Sequence, residues 1–163
     1  MKFHLTENDV WQLLEQVKDP EVPVLSIIDL GIVRAVETKE DCFLIKITPT
    51  YTGCPAMDMI AADIKILFEK NNIPCKVELV LSPAWTTKWM SLAGKQKLKA
   101  YGIAPPLDED VSMNVLFGKH GVIECPLCNS KNTEMISQFG STACKSLFRC
   151  LDCKEPFDYF KCH

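Results

Sequence analysis

Histidine is scarce in this chain, basic charge is not in excess, and no apolar run approaches the length that spans a bilayer. Each shortage removes a class of function. With three histidines, none in a motif that would let it serve as a base, a cysteine-protease or thioesterase dyad is unsupported. A net charge of −3 argues against a nucleic-acid partner, whose phosphates favour a basic surface. The sequence opens without a basic segment leading into an apolar one, and no later stretch could cross a membrane as a helix. A cytoplasmic protein with no membrane partner is expected. No internal repeat or low-complexity tract is visible, and 163 residues suffice for one domain with an appendage.

Cysteine, by contrast, is abundant. There are nine, an odd count that would leave one over in a disulfide framework, so reduced thiols and metal ligation are the better reading. Cys42, Cys54 and Cys75 are scattered, whereas six crowd between Cys125 and Cys162, which marks a domain boundary. Cys125-x-x-Cys128 and Cys150-x-x-Cys153 form two knuckles with 21 residues between them. Two thiolates three positions apart chelate one ion from a tight turn, and two such turns complete a tetrahedron. Zinc is the default ion, although four thiolates also suit iron. Cys144 and Cys162 are spare thiols that could substitute for a knuckle ligand, and His163 reads as a chain end rather than a ligand. Strands are expected at VIE, EMISQF and KSLFR. So small a tail has too little core to fold alone, and the metal would supply much of its stability.

Upstream, Thr6 can cap a helix with Asp9 as its reciprocal partner. Val10, Leu13, Leu14 and Val17 form the apolar stripe, and the helix stops at Asp19-Pro20. GIVRAVET and CFLIKIT read as strands, with Phe43, Ile45 and Ile47 on one face. Met57, Ile60, Ala61, Ile64, Leu67 and Phe68 mark a second helix. KVELVLS alternates again through Val77, Leu79 and Leu81, and a last helix runs through TKWMSLAGKQKLKAYG to a stop near Gly102. The fold class is α/β (α+β): a small mixed-sheet α-β-β-α-β-α domain followed by a zinc-ribbon-like metal-binding domain. Trp85 and Trp89, one helical turn apart, read as core.

Cys54 stands between Gly53 and Pro55 at the head of the second helix. With proline at the first helical position, Cys54 becomes the N-cap, facing unsatisfied N–H groups and the positive end of the helix dipole. Both would lower its pKa, giving a thiolate able to attack or to bind a soft metal. A buried small hydrophobe at a strand–helix junction is the alternative, and the residues leave both open. Cys42 and Cys75 read as strand-edge packing. Asp19-Pro-Glu21 places two carboxylates two residues apart, suited either to ligating iron or simply to capping a solvated turn.

DPEVPVLSIIDLGIV, TPTYTGCPAMDMI and LSPAWTTKWMSLAGKQKLKAYGIAPP resemble the small domain shared by SufT-type and eukaryotic cytosolic iron–sulfur assembly proteins, over about residues 8–106. With CPLCNSKNTEMISQFGSTACKSLFRCLDCKEPFDYFKC added, the whole chain resembles the PaaD-type family, the D subunits of the bacterial phenylacetyl-CoA oxygenase (ring epoxidase) system. The resemblance implies three segments: a SufT-like iron–sulfur assembly domain over 1–106, a linker over 107–120 and a four-cysteine zinc ribbon over 121–163. It implies a non-catalytic maturation role in aerobic phenylacetate degradation. The partners it implies are the diiron oxygenase subunits, a reductase carrying an iron–sulfur cluster and flavin, and the iron–sulfur assembly machinery. Carried onto this sequence, Cys54 matches the family's reactive cysteine, and Asp19 and Glu21 match its acidic turn. Cys54 would transiently ligate iron or a cluster, across a homodimer because one cysteine cannot hold a cluster alone. Three rivals stay open: a structural subunit of the oxygenase, a rubredoxin-like electron carrier and, weakest given the acidic balance, a nucleic-acid-binding ribbon.

Overall fold

The computed structural model describes residues 5–107 and 122–161. The linker expected over 107–120 falls almost wholly outside them, as do Cys162 and His163.

Helix α1 spans Glu7–Leu14 and opens with the expected capping box. The Asp9 N–H donates to the Thr6 hydroxyl at 3.3 Å, and the Thr6 N–H donates to the Asp9 carboxylate at 2.8 Å. Val10 and Leu14 are buried. The helix ends before Asp19-Pro20 because Gln16 and Val17 donate to carbonyls three residues back, tightening the last turn. Val17 is buried from this turn rather than from the helix. The following loop closes on itself through the Asp19 N–H on the Leu25 carbonyl at 2.9 Å.

Strands β1 (Val33–Thr38) and β2 (Phe43–Ile47) form an antiparallel hairpin. Helix α2 (Ala56–Lys70) then returns the chain to β3 (Cys75–Leu79), which runs parallel to β2, so the sheet is mixed in the order β1-β2-β3. Phe43, Ile45 and Ile47 are buried, as are Met57, Ile60, Ile64 and Phe68 of α2. Val77 and Leu79 share the register of Ile45 and Ile47, but β3 is an edge strand with less to cover it. Leu79 and Leu81, expected together with Val77 by alternation, are 52% and 57% exposed.

The helix expected over TKWMSLAGKQKLKAYG is interrupted. A 3-10 turn at Thr87–Trp89 is followed by α3, Leu92–Tyr101. Between them Ser91 is pinned to Asp29: its N–H donates to the Asp29 carbonyl at 2.8 Å and its hydroxyl to the carboxylate at 3.1 Å. Trp85 is core, its indole N–H donating to the Leu30 carbonyl at 2.8 Å. Trp89 is half-buried and carries the Arg34 guanidinium 3.4 Å above its ring centre.

The chain divides into two compact units, one holding the residues up to Trp85 with Trp89–Ser91, the other Thr86–Lys88 and the residues from Leu92 onward. The second unit contains α3 and a four-stranded sheet in the order β4-β7-β6-β5, formed by β4 (Ile103–Ala104), β5 (Thr133–Ser137), β6 (Lys145–Cys150) and β7 (Pro156–Phe160). VIE is not a strand. Its backbone instead accepts the Thr133 hydroxyl at the Ile123 carbonyl. The strand in EPFDYF lies beyond the sequence expectation, although Phe157 and Tyr159 alternate toward the core. Among the described residues no helix is long and apolar enough to cross a membrane.

Candidate metal centre and helix-head thiol

The two knuckles repeat one backbone solution. Cys125 donates its N–H to the Ser130 carbonyl at 2.9 Å, and Cys150 donates its own to the Glu155 carbonyl at 3.0 Å. Each turn closes with a left-handed residue just after its second cysteine, Asn129 at φ 61° and Lys154 at φ 69°. Asparagine tolerates that conformation well and is a readable signal, whereas lysine is not. Asp152 ties the knuckles together, accepting from the Ser130 hydroxyl and from the Asn132 amide at 2.9 Å.

These turns bring the sulfurs of Cys125, Cys128, Cys150 and Cys153 within 4.8 Å of one another. The Cys125–Cys153 and Cys128–Cys150 separations are 3.8 and 3.5 Å. A zinc–sulfur bond of about 2.3 Å in a tetrahedron requires sulfur–sulfur edges of about 3.8 Å, so the donor set fits a Cys₄ zinc site. The thiols divide their protons unequally. Burial opposes a charge on Cys150, but the N–H groups of Cys153 and Asp152 and the thiols of Cys128 and Cys153 outweigh it and hold the pKa at about 6. Cys128 is pushed up to about 12: the Ser130 N–H works against this, but burial and the thiols of Cys150, Cys153 and Cys125 prevail. Cys144 lies outside the cluster, buried, with its sulfur 3.0 Å from the Thr142 hydroxyl.

In the N-terminal unit, α2 begins at Ala56 with Pro55 as the N-cap, so Cys54 sits one residue further out than expected. The expected lowering of its pKa is reversed as well. Burial is the main cause that pushes the half-buried Cys54 thiol up, and the Glu21 and Asp19 carboxylates push it the same way. The Ala56 N–H and the Tyr51 hydroxyl favour the thiolate but are outweighed. The structure therefore brings Cys54 into electrostatic reach of both acidic residues. Tyr51 carries no signal in the sequence beyond standing three positions before the cysteine, whose N–H donates to its carbonyl at 3.2 Å. Asp19 also caps its own turn. One carboxylate oxygen accepts the Glu21 and Val22 N–H groups at 2.8 and 2.7 Å.

Over 156 residues the chain is 46% identical to the D subunit of the Escherichia coli "Putative 1,2-phenylacetyl-CoA epoxidase", covering 95% of this chain and 92% of that one. The chain belongs to this PaaD family. Within this PaaD-family chain, residues 109–161 match the PaaD zinc beta ribbon domain and residues 7–67 the iron–sulfur cluster assembly protein family. A second relative, an Fe-S protein maturation auxiliary factor of Porphyromonas gingivalis, is 36% identical over 93 residues, covering 55% of this chain and 88% of that one. The crystal structure of a DUF59 domain from Bacillus anthracis aligns with a TM-score of 0.53 at 33% identity, covering 56% of this chain and 90% of that one. The fold class read from the sequence, an assembly-type α/β domain followed by a zinc ribbon, is the one found.

Proposed function

We propose that this PaaD-family protein is an auxiliary factor that matures a metal centre of the phenylacetyl-CoA oxygenase, and does no oxygenase chemistry itself. The observation that carries this is a half-buried thiol that feels the charge of two carboxylates: Cys54, with Asp19 and Glu21. The names of two similar proteins, an epoxidase component and an iron–sulfur maturation factor, support it.

Cys54 holds its proton while the site is at rest, because burial and the two carboxylates oppose a further negative charge. An incoming iron ion is the cargo. The same carboxylates draw the cation in, and its charge releases the Cys54 proton to solvent, freeing the sulfur as a donor. The Cys54 sulfur is the ligand this chain offers, and water and then the client's ligands fill the other positions, so transfer proceeds by exchange onto the client. A second copy's Cys54 is then not needed. Soft thiol chemistry favours the cluster-bearing reductase over the diiron component as client. In the C-terminal unit, Cys125, Cys128, Cys150 and Cys153 would hold zinc, which supplies structural cross-linking and shapes a docking surface for the oxygenase components. The reduced thiols this requires fit the cytoplasm.

The test is the iron and acid-labile sulfide content of the reductase and of the diiron component, each purified from cells carrying Cys54→Ala and from wild type. Loss from one component names the client, and full content in both overturns the proposal. The relative's name also favours a resident structural component of the oxygenase as a second reading. Stoichiometric co-purification with active oxygenase whose metal content does not depend on Cys54 would select it.

A further inference from the structure

The two edges of the N-terminal sheet are finished differently. At β1 the Glu7 carboxylate accepts both the N–H and the hydroxyl of Thr38, and Arg34 is stacked on Trp89. At β3 the side chains of Lys76, Glu78 and Leu79 are exposed, and Val77 is half-covered. Among the described residues no strand pairs with the far side of β3, and such a five-residue edge is a template for another strand.

Which backbone groups point outward follows from the ladder to β2. The Pro74 carbonyl accepts the Phe43 N–H, and the Val80 N–H donates to the Ile47 carbonyl. In a parallel ladder a residue turns both its backbone groups to the same neighbour, and successive residues alternate. Positions 74, 76, 78 and 80 therefore face β2, while Cys75, Val77 and Leu79 present N–H and C=O to the outside.

We propose that β3 pairs antiparallel with β3 of a second copy of this chain, on a two-fold axis through Val77. That register sets Val77 opposite Val77 and Cys75 opposite Leu79, all positions whose backbone groups point outward, so each pair exchanges two hydrogen bonds. Lys76 then stands opposite Glu78, twice by symmetry, at the non-hydrogen-bonded positions where side chains come closest. On the other face Leu79, otherwise half-exposed, is covered by Cys75 of the second copy. A one-residue slip would pair outward-facing backbone groups with groups already turned to β2. Moving the axis to residue 76 or 78 would keep the backbone bonds but oppose Lys76 to Lys76 or Glu78 to Glu78. Hydrogen bonding and charge thus specify the register together. So short an interface is smaller than the ~1,200 Å² of a stable complex, and the dimer is concentration-dependent. Cys54 follows the C-terminal end of β2, so antiparallel pairing leaves the two thiols at opposite ends of the joined sheet. The pairing is independent of the maturation reading.

Sedimentation of the full-length wild-type chain from low to high micromolar concentration tests this directly. A monomer–dimer equilibrium is expected, and a monomer throughout overturns the proposal. Lys76→Glu alone and Glu78→Lys alone each oppose like charges, and each should weaken the dimer about tenfold or more. An equimolar mixture of the two single variants restores opposite charges at both positions and should dimerise at least as tightly as wild type. Single variants that dimerise like wild type, or a mixture that stays monomeric, would overturn the register. Both residues are exposed, so circular dichroism should show an unchanged fold in either variant.

Discussion

Chelating the four-thiol site should unfold the C-terminal unit while the N-terminal sheet keeps its protection. Two of the four ligands, Cys125 and Cys150, belong to the same buried cluster as Ile123, Phe148, Phe157 and Tyr159. The metal would therefore cross-link the turns that carry this unit's apolar cluster. A structural zinc contributes about 10–16 kcal/mol at neutral pH. The net stability of a whole domain is about 5–15 kcal/mol, so losing the metal matches or exceeds everything holding the unit folded. The assay is titration of purified protein with a strong zinc chelator, metal content being followed by mass spectrometry and amide protection by hydrogen exchange. Protection should vanish in β6 and β7 in step with zinc loss, while β2 and α2 stay protected. Cys150→Ser, which removes a fully buried ligand on β6, should reproduce the effect. Cys128→Ser touches an exposed knuckle and should cost less. If β6 and β7 stay protected after zinc has left stoichiometrically, the metal is not what holds this unit.

Three further perturbations bear on the N-terminal unit. A Cβ on Gly31, at φ +68°, would stand 2.3 Å from the Trp89 carbonyl oxygen, so Gly31→Ala should cost about 3 kcal/mol or more, read as a lower urea midpoint. Asp29→Ala strands the buried Ser26 N–H and removes the carboxylate that accepts the Ser91 hydroxyl, at a cost of about 2–4 kcal/mol by the same measurement. The Cys54 thiol, raised from its ordinary value of 9.0, should alkylate slowly at pH 8, and Glu21→Gln should speed it by removing one opposing charge. An unchanged alkylation rate in that variant would show that the Glu21 charge does not act on the thiol. Because the folded-state value lies above the unfolded one, Cys54 stabilises the fold below the unfolded value, and this contribution is lost as pH rises through the folded one.

The features legible in the sequence are those whose causes lie a few residues apart. The Thr6–Asp9 capping box, the helical period of α2, the alternation of Phe43, Ile45 and Ile47 and the two cysteine knuckles all describe contacts between near neighbours. Reading them required only the spacing of residue types. Tertiary structure decided what depends on distant neighbours. Helix-head position alone predicts a thiolate at Cys54, yet burial and carboxylates from a turn far upstream reverse the direction. The helical pattern runs unbroken through TKWMSLAGKQKL, yet Asp29 draws Ser91 out of it. Alternation groups Val77, Leu79 and Leu81 together, but only the strand order reveals that, among the described residues, β3 has no strand on its far side. Residue pattern sets what each segment can bury or bind. Whether it does so depends on which distant segment arrives to cover it.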